Sequence, residues 1–362
     1  MERIKYLDGM RGIAILLVFF YHAYTRWIEL MPFGDQWAAF PLFKFGYLGV
    51  ELFFLISGFV ILMTLERCKG FSHFLYKRWL RLFPGMLVCS LFIYFSASFF
   101  FERPRGIPPS KDLIPGLLFI EPYLIEKITG FQLRSMEGAF WSLYIEFKFY
   151  IIAALLYFVL GSKKLVIALF ACFLSWVLLG ILSANISFRG ISLCYSVVDL
   201  LGFKYFGWFA AGAAYYSFVK TKQRWWLFAG IVISMLSGLV ESKMNYSAAI
   251  ACSLISVFFF LAITNIKVQD FLSSRLLLLL GFVSYPLYLI HENMMLSLVI
   301  KFSQYLSFIP GVLFPFIAIL ILISIAYAIS KYCEPFFRTC ICFISNKISG
   351  YYSPYKRFLR AS

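Results

Sequence analysis

The chain has 362 residues, of which 62% are hydrophobic and 21% aromatic, and its mean hydropathy is +0.84. This composition excludes a water-soluble protein folded around a single core and predicts an integral membrane protein. The formal net charge of +16 does not imply nucleic acid as a partner. Membrane topology and anionic lipid head groups both favour lysine and arginine on the inner face of such a protein.

Apolar runs recur along the chain, separated by breaks that contain charged residues, proline or glycine. Because about 20 apolar residues cross the hydrocarbon as a helix, we predict an all-α polytopic protein with about ten transmembrane helices. Their expected ranges are 10–30, 46–65, 82–101, 141–160, 165–183, 205–219, 225–240, 247–265, 276–300 and 311–330. The first run has no small-residue cleavage site and is expected to be a span rather than a cleaved signal peptide.

Orientation follows from the basic residues, which flank cytoplasmic loops. With the N-terminus inside, the inner segments hold 21 of the 33 lysines and arginines but only 5 of the 17 acidic residues. We therefore predict that both termini are cytoplasmic. These inner segments are 1–11, 66–81, 161–164, 220–224, 266–275 and 331–362.

A long outer loop is expected over residues 102–140. Its apolar stretch 113–125 is short and broken by Pro115 and Pro122. Making it a further span would place the lysines of the next two inner loops outside. We therefore predict an interfacial or re-entrant piece there.

A basic cluster, YKRWLRLFPG at 76–85, marks the inner entry of the third span. Arg78 and Arg81 lie three residues apart and share a helix face, with Lys77 beside them. The guanidinium fork suits phosphate oxygens, so the cluster suits a cytoplasmic nucleotide-like ligand with several phosphates. The alternative is an ordinary role in topology and lipid contact.

The first span links a basic residue at its inner end to a histidine within the membrane, in the stretch RGIAILLVFFYH. The eleven residues from Arg11 to His22 span about 16 Å along a helix and return to within about 20° of the same face. An ionisable group at that depth indicates a functional site. The alternative is a neutral imidazole hydrogen-bonded between helices.

Other polar residues are expected at the same depth as His22. Glu51 in the second span, Glu146 in the fourth and His291 in the ninth all fall in the outer half of the bilayer. Glu292 is expected to be a solvated charge at the outer rim. Interhelical hydrogen bonding is the alternative role, above all for Ser57, Ser142 and Ser284.

Six motifs in serial order resemble those of the acyltransferase-3 family, which comprises membrane-bound O-acyltransferases that modify extracytoplasmic glycans and some secondary metabolites. They are RGIAILLVFFYH, GYLGVELFFLISGF, KRWLRLFP, WSLYIEFKFY, SYPLYLIH and EPFFR. The resemblance implies that Arg11 and His22 are functionally essential. It also carries the paired arginines of the family onto Arg78 and Arg81, and its serine–glycine pair onto Ser57 and Gly58.

The resemblance implies transfer of an acetyl group from cytoplasmic acetyl-CoA to a glycan hydroxyl at a bacterial inner membrane. The acceptor is expected to be O-antigen, exopolysaccharide or a lipid-linked precursor, with a macrolide-like acceptor as the alternative. Many relatives add an SGNH-type hydrolase domain. Here residues 1–338 are expected to form the membrane domain and to handle the acceptor alone, with 339–362 as a basic, aromatic cytoplasmic tail along the membrane.

The chemistry also follows from the residues. O-acylation requires a base for the hydroxyl proton, stabilisation of the thioester oxygen and exclusion of water. His22 suits the base, and a carboxylate such as Glu146 would orient it. The acceptor is expected to approach from outside, near Glu51, Glu146 and His291. Direct transfer and a transiently acylated His22 both remain open.

A transporter or flippase for a sugar- or lipid-linked substrate is the alternative function, because intramembrane His and Glu sets also serve proton relays. The chain shows no inverted repeat of the kind that many transporters have. The cysteines form neither a disulfide framework nor a zinc pattern. No metal or cofactor beyond the acyl donor is expected.

Overall fold

The computed structural model describes residues 4–306 and 308–349, and within these ranges it contains helices and no strand. The helices pack around one contiguous apolar core. In chain order they are α1 Lys5–Tyr21, α2 Pro41–Lys44, α3 Gly49–Leu65, α4 Phe71–Ser96, α5 Leu113–Leu118, α6 Pro122–Thr129, α7 Trp141–Leu160, α8 Ser162–Asn185, α9 Arg189–Leu200, α10 Phe206–Thr221, α11 Arg224–Glu241, α12 Tyr246–Thr264, α13 Ile266–Leu272, α14 Arg275–Tyr305, α15 Phe314–Ala328 and α16 Glu334–Ser349.

Eight helical stretches of the described chain are long and apolar enough to cross a membrane. The prediction of an all-helical membrane protein is thereby confirmed. The first and sixth predicted spans correspond to α1 and α10, which have 17 and 16 residues. Both helices are shorter than the eight stretches and are not among them. The count of about ten spans and the cytoplasmic termini remain predictions. The eight stretches are Gly46–Leu65, Phe71–Ser96, Gly138–Leu160, Ser162–Asn185, Arg224–Glu241, Tyr246–Thr264, Arg275–Tyr305 and Gly311–Ser345.

Close contact between α1 and α14 sets the position of the site. A Cβ at Gly281 would overlap the backbone oxygen of Asp8, and a Cβ at Gly12 would lie 2.6 Å from that of Leu277. Only glycine lets the two backbones come this near. His22 follows Gly12 by ten residues and His291 follows Gly281 by ten. Because the two helices run in the same direction, this register brings the histidines together.

Helix α3 packs against α1 from another side and runs the opposite way. A Cβ at Gly49 would lie against Ala14 O, and one at Gly46 against Leu17 O. This contact holds the start of α3, with Glu51, beside the end of α1. We call this side of the bundle, where α1 ends and α3, α7 and α10 begin, the His22 end, and the opposite side the arginine end.

Loop 102–140 folds over the His22 end. Its apolar stretch forms α5 and α6, of 6 and 8 residues, which are too short to cross a membrane. A buried ion pair joins the two ends of the loop, with Arg103 Nη2 2.9 Å from Glu137 Oε1. Glu137 in turn accepts a hydrogen bond from the backbone N–H of Asn293 on α14, at 3.0 Å. The loop is therefore fastened to α14 immediately beside the site.

At the other end of the chain, α16 runs without a break from Glu334 to Ser349. It continues through residue 338, the predicted border of the membrane domain, so the division at that point remains a prediction. Residues 350–362, which include Lys356, Arg357 and Arg360 of the expected tail, lie outside the described residues.

Candidate active site

Helix α1 changes its winding at His22. The α-helix ends at Tyr21, and residues His22–Arg26 form a π-helical turn. Single π-helical turns occur often at functional sites, because they present a side chain that the regular helix would turn away. The His22 side chain is consequently placed at the wall of a cavity rather than within the packed helix interface.

The hydrogen bonds of the two histidines define their tautomers. His22 Nδ1 lies 2.9 Å from Val18 O, and His291 Nδ1 lies 2.8 Å from Tyr288 O. A carbonyl oxygen only accepts, so each Nδ1 carries the proton in the neutral ring. His291 Nε2 is then an acceptor, 3.3 Å from the shared His22 Nδ1–H. This arrangement leaves the lone pair of His22 on Nε2, where the structure shows no hydrogen bond within its described residues.

Glu292 is the carboxylate next to that free nitrogen. Its Oε1 lies 4.0 Å from His22 Nε2, and its Oε2 accepts a hydrogen bond of 2.6 Å from the backbone N–H of Ala139. The expectation of a solvated boundary charge is wrong, because Glu292 is only 4% exposed. Loop 102–140 covers it, and Gly138 leaves room for it, since a Cβ there would lie 2.5 Å from Oε1.

A cavity of about 490 Å³ opens at the His22 end. It brings Glu51 together with His22, as predicted from their depth. The remaining wall is rich in aromatic rings and contains two arginines and two further glutamates. In full it is lined by Val18, Tyr21, His22, Arg26, Trp27, Tyr47, Val50, Glu51, Arg105, Gly138, Ala139, Trp141, Tyr205, Glu241, Tyr288 and Glu292.

Glu146 lies elsewhere in the bundle. Its Oε1 accepts hydrogen bonds from Ser57 Oγ at 2.9 Å and from Tyr150 Oη at 2.5 Å. The carboxylate nearest to His22 is Glu292 instead, on the Nε2 side of the ring, and Val18 O and His291 hold the Nδ1 side. Sequence spacing gave a similar depth for Glu51 and Glu146, but α7 turns Glu146 towards the middle of α3.

The predicted donor-binding residues lie near the arginine end. Arg78 is 5% exposed, hydrogen-bonds to Thr64, and its guanidinium lies 5.7 Å from the ring centroid of Tyr150. Arg11 pairs with Asp8 at 2.9 Å, and Arg81 is exposed.

Lys77, Ser57 and Gly58 differ in their surroundings. Lys77 is partly exposed, next to Arg78 on α4. Ser57 is buried against Glu146. Gly58 has a packing role, because a Cβ there would overlap the backbone oxygen of Phe209 on α10. The donor contacts predicted for these three residues remain predictions.

Polar side chains occur at three levels along α3, and we call these residues, Glu51, Ser57 and Thr64, with their partners the polar file. Glu51 lies at the cavity, Ser57 about 9 Å further along the helix and Thr64 about 10 Å beyond that, at 1.5 Å per residue. Their partners are Glu146 for Ser57 and Arg78 for Thr64. Ser57 and Thr64 thus place polar groups between the cavity and the arginine end, and a donor path between the two ends remains a prediction.

Sequence reasoning missed the contribution of loop 102–140 and of the residue after His291. The stretch IHEN at 290–293 places three consecutive polar side chains in an otherwise apolar helix. Each has a different partner, respectively His22, Ala139 and Glu137. A run of polar side chains within a predicted span was therefore the feature of the sequence that could have indicated these contacts. No group of three or more His, Cys, Asp or Glu side chains suited to a metal ion occurs among the described residues.

Comparison with known proteins identifies the family to which the chain belongs. Residues 4–331 match the acyltransferase domain of the acyltransferase-3 family. An O-acetyl transferase of Shigella phage Sf6 is 27% identical over 189 residues, covering 51% of this chain and 55% of the phage protein. A provisionally named O-acetyltransferase of Staphylococcus aureus strain COL is 29% identical over 161 residues, covering 42% of this chain and 24% of that protein.

A third relative is acyltransferase MdmB of Streptomyces mycarofaciens, 31% identical over 163 residues, which cover 43% of this chain and 39% of MdmB. The chain therefore spans from about a quarter to just over half of the length of these relatives. No solved structure matches it. The family match extends over most of the chain and includes the two histidines of the site, His22 and His291, so the chain belongs to the acyltransferase-3 family.

Proposed function

We propose that the protein is a membrane-bound O-acetyltransferase that transfers the acetyl group of acetyl-CoA to a hydroxyl of an extracytoplasmic glycan. The observation that carries this proposal is His22 Nε2, a free basic nitrogen at a cavity wall with its tautomer fixed from the opposite side of the ring. The acyltransferase-3 family match supports acyl transfer. The names of the phage and staphylococcal relatives support a hydroxyl acceptor.

In this proposal His22 is the general base. Nε2 removes the proton of the acceptor hydroxyl as its oxygen attacks the thioester carbonyl carbon, so that a C–O bond forms and the C–S bond breaks. The proton then passes from Nε2 to the sulfur of the departing CoA, which leaves as the thiol. Base catalysis of this kind contributes roughly 10²–10⁴-fold to a rate.

Neighbouring groups stabilise the charges that develop on His22 and on the thioester oxygen during the reaction. Glu292, 4.0 Å from Nε2, stabilises the imidazolium. His291 is a positioning residue, because its Nε2 and Val18 O hold the Nδ1–H of His22. Arg26 and Arg105 line the same cavity and supply positive charge for the thioester oxygen as it becomes negative.

The donor is proposed to enter from the arginine end. Arg11, Arg78 and Arg81 would hold the phosphates of CoA, with Lys77 adding positive charge at the rim. The pantetheine arm would follow the polar file past Ser57 and Glu146 to His22, over a distance of about 16 Å along α1. The length of the pantetheine arm is of the same order as this distance. The proposal accordingly describes a multi-pass enzyme of a bacterial cytoplasmic membrane, with donor and acceptor on opposite faces.

Replacing Arg78 and Arg81 together by alanine is expected to weaken the use of donor. Each charge-assisted hydrogen bond to a phosphate contributes about 1.5–3 kcal/mol, so we expect the apparent KM for acetyl-CoA to rise by at least about tenfold. Lys69→Ala, which removes an exposed cation near the same end, is the control. Steady-state kinetics in membrane vesicles measures both; an equal rise in the control would reject the donor assignment.

The proposed function is tested by the composition of surface glycan from cells with and without this protein. We expect a base-labile acetyl ester that depends on the protein and is lost with His22→Ala. Accumulation of unmodified glycan on the inner side of the membrane in cells without the protein would instead indicate the flippase alternative. Identical glycan from both cells, with no change in acetyl content, would reject O-acetylation.

A further inference from the structure

The cavity wall contributed by α3, α7 and the segment before α10 is aromatic. Trp141 and Tyr205 lie side by side there, with ring centroids 5.3 Å apart and planes inclined by 44°. Phe54 lies behind both rings, at 5.3 Å from Tyr205 and 6.4 Å from Trp141. The wall therefore presents a firm apolar surface to whatever occupies the cavity.

One carboxylate in the same wall has an unused acceptor. Glu51 is 3% exposed, and its Oε2 has no hydrogen-bond partner within the described protein. The other carboxylates of the cavity differ, because Glu241 pairs with Lys204 at 3.0 Å and Glu292 accepts from Ala139 N–H. A buried polar atom without a partner costs free energy. A hydroxyl donor of a bound molecule would offset that cost.

An apolar ring surface beside a lone acceptor is suited to a sugar. A pyranose ring has an apolar C–H face that packs on aromatic rings, while its hydroxyls donate hydrogen bonds at the edge. Binding cavities of this class combine mainly aromatic walls with a few placed polar groups that fix orientation. A fatty alcohol could donate its hydroxyl to Glu51, but it has no ring face to stack on Trp141 and Tyr205.

We propose that Trp141, Tyr205 and Glu51 form a sugar-binding subsite, in which a sugar ring of the acceptor stacks on the two aromatic rings. A hydroxyl other than the one that is acylated donates a hydrogen bond to Glu51 Oε2. This assignment rests on the proposed function and deepens it, since it makes a polyhydroxylated ring, rather than any alcohol, the group that the site selects. Glu51 is thus a binding residue, and His22 remains the base.

The subsite is tested by binding without turnover. Saturation-transfer NMR of the detergent-solubilised full chain is measured with methyl hexopyranosides and methyl N-acetylhexosaminides, and with methoxycyclohexane as a ring that has no hydroxyl. We expect ring C–H signals from at least one glycoside with the wild-type protein and with His22→Ala. Methoxycyclohexane is expected to give signals that are at least roughly tenfold weaker, because a site built to accept a hydroxyl donor rejects analogues that lack one.

Two variants and one control assign the signals to the subsite. Glu51→Met keeps the side-chain length but removes the acceptor, and Trp141→Ala removes the stacking surface; each is expected to weaken glycoside binding by roughly tenfold to a hundredfold. Glu29→Gln, at an exposed carboxylate of the same end, is expected to bind as the wild type does. Folding is checked by CoA binding at the arginine end, which both variants should retain.

Glycoside signals that are equal in all variants would overturn the subsite, as would their absence from a protein that acetylates glycan. In that last case the proposed function stands while the sugar subsite fails. Conversely, specific glycoside binding by a protein without transferase activity would leave the subsite standing and reject the proposed function. The two proposals are therefore separable.

Discussion

Replacing His22 by alanine is expected to reduce acetyl transfer by about 10²–10⁴-fold. The variant loses the Nε2 lone pair of His22 at the cavity wall, while Arg78 and Glu51 stay in place. Transfer of label from radioactive acetyl-CoA to the glycan fraction of membrane vesicles measures the change. Binding of acetyl-CoA is expected to persist, because the arginine end lies about 16 Å away along α1.

His73→Ala is the matched control for this variant. His73 lies at the start of α4 at the arginine end, where its Nδ1 accepts from the backbone N–H of Lys69 at 3.3 Å. It takes no part in the proposed chemistry, so near-normal transfer is expected. If His22→Ala kept normal transfer, or if both variants lost it equally, the assignment of His22 as base would be wrong.

Replacing Arg103 by methionine is expected to destabilise the protein by about 3–5 kcal/mol. Arg103 and Glu137 have side chains that are 2% and 0% exposed, and removing one partner leaves the other charge buried and unpaired. Unfolding by SDS in mixed micelles measures the loss. Activity is expected to fall as well, since the pair fastens the segment whose Ala139 N–H holds Glu292.

Arg134→Met provides the comparison within the same loop. Arg134 pairs with Asp112 at 3.4 Å, but its side chain is 64% exposed. Exposed ion pairs contribute about 0–1 kcal/mol, so a small effect is expected. A loss as large as that of Arg103→Met would show that the loop is sensitive to any arginine removal rather than to the buried pair.

The sequence predicted what depends on spacing within one helix. Arg11 lies on α1 and His22 directly after its last residue, and the parallel register of α1 and α14 brings His291 to His22, as their common depth suggested. The loop stretch 113–125 was expected not to span the membrane, and it forms two short helices. Helical periodicity, proline and charge are sufficient to predict each of these features.

The features of the site that could not be predicted depend on contacts between elements that are far apart in the sequence. Glu292 counts as a rim residue by its depth, yet loop 102–140 folds over it and buries it. Glu146 has the right depth for His22, but the rotation of α7 directs it to Ser57. Spacing fixes the height of a side chain along a helix. It does not fix which neighbouring helix or loop that side chain meets.

The central claim is that donor and acceptor reach the site from opposite faces, and it is tested most directly with oriented proteoliposomes. Acetyl-CoA and purified surface glycan, neither of which crosses the bilayer, are supplied on chosen sides, and protease cleavage of loop 102–140 reports the orientation. We predict acetyl-glycan only when acetyl-CoA faces the arginine end and glycan faces the His22 end. Equal transfer with both substrates on the same side would contradict the account.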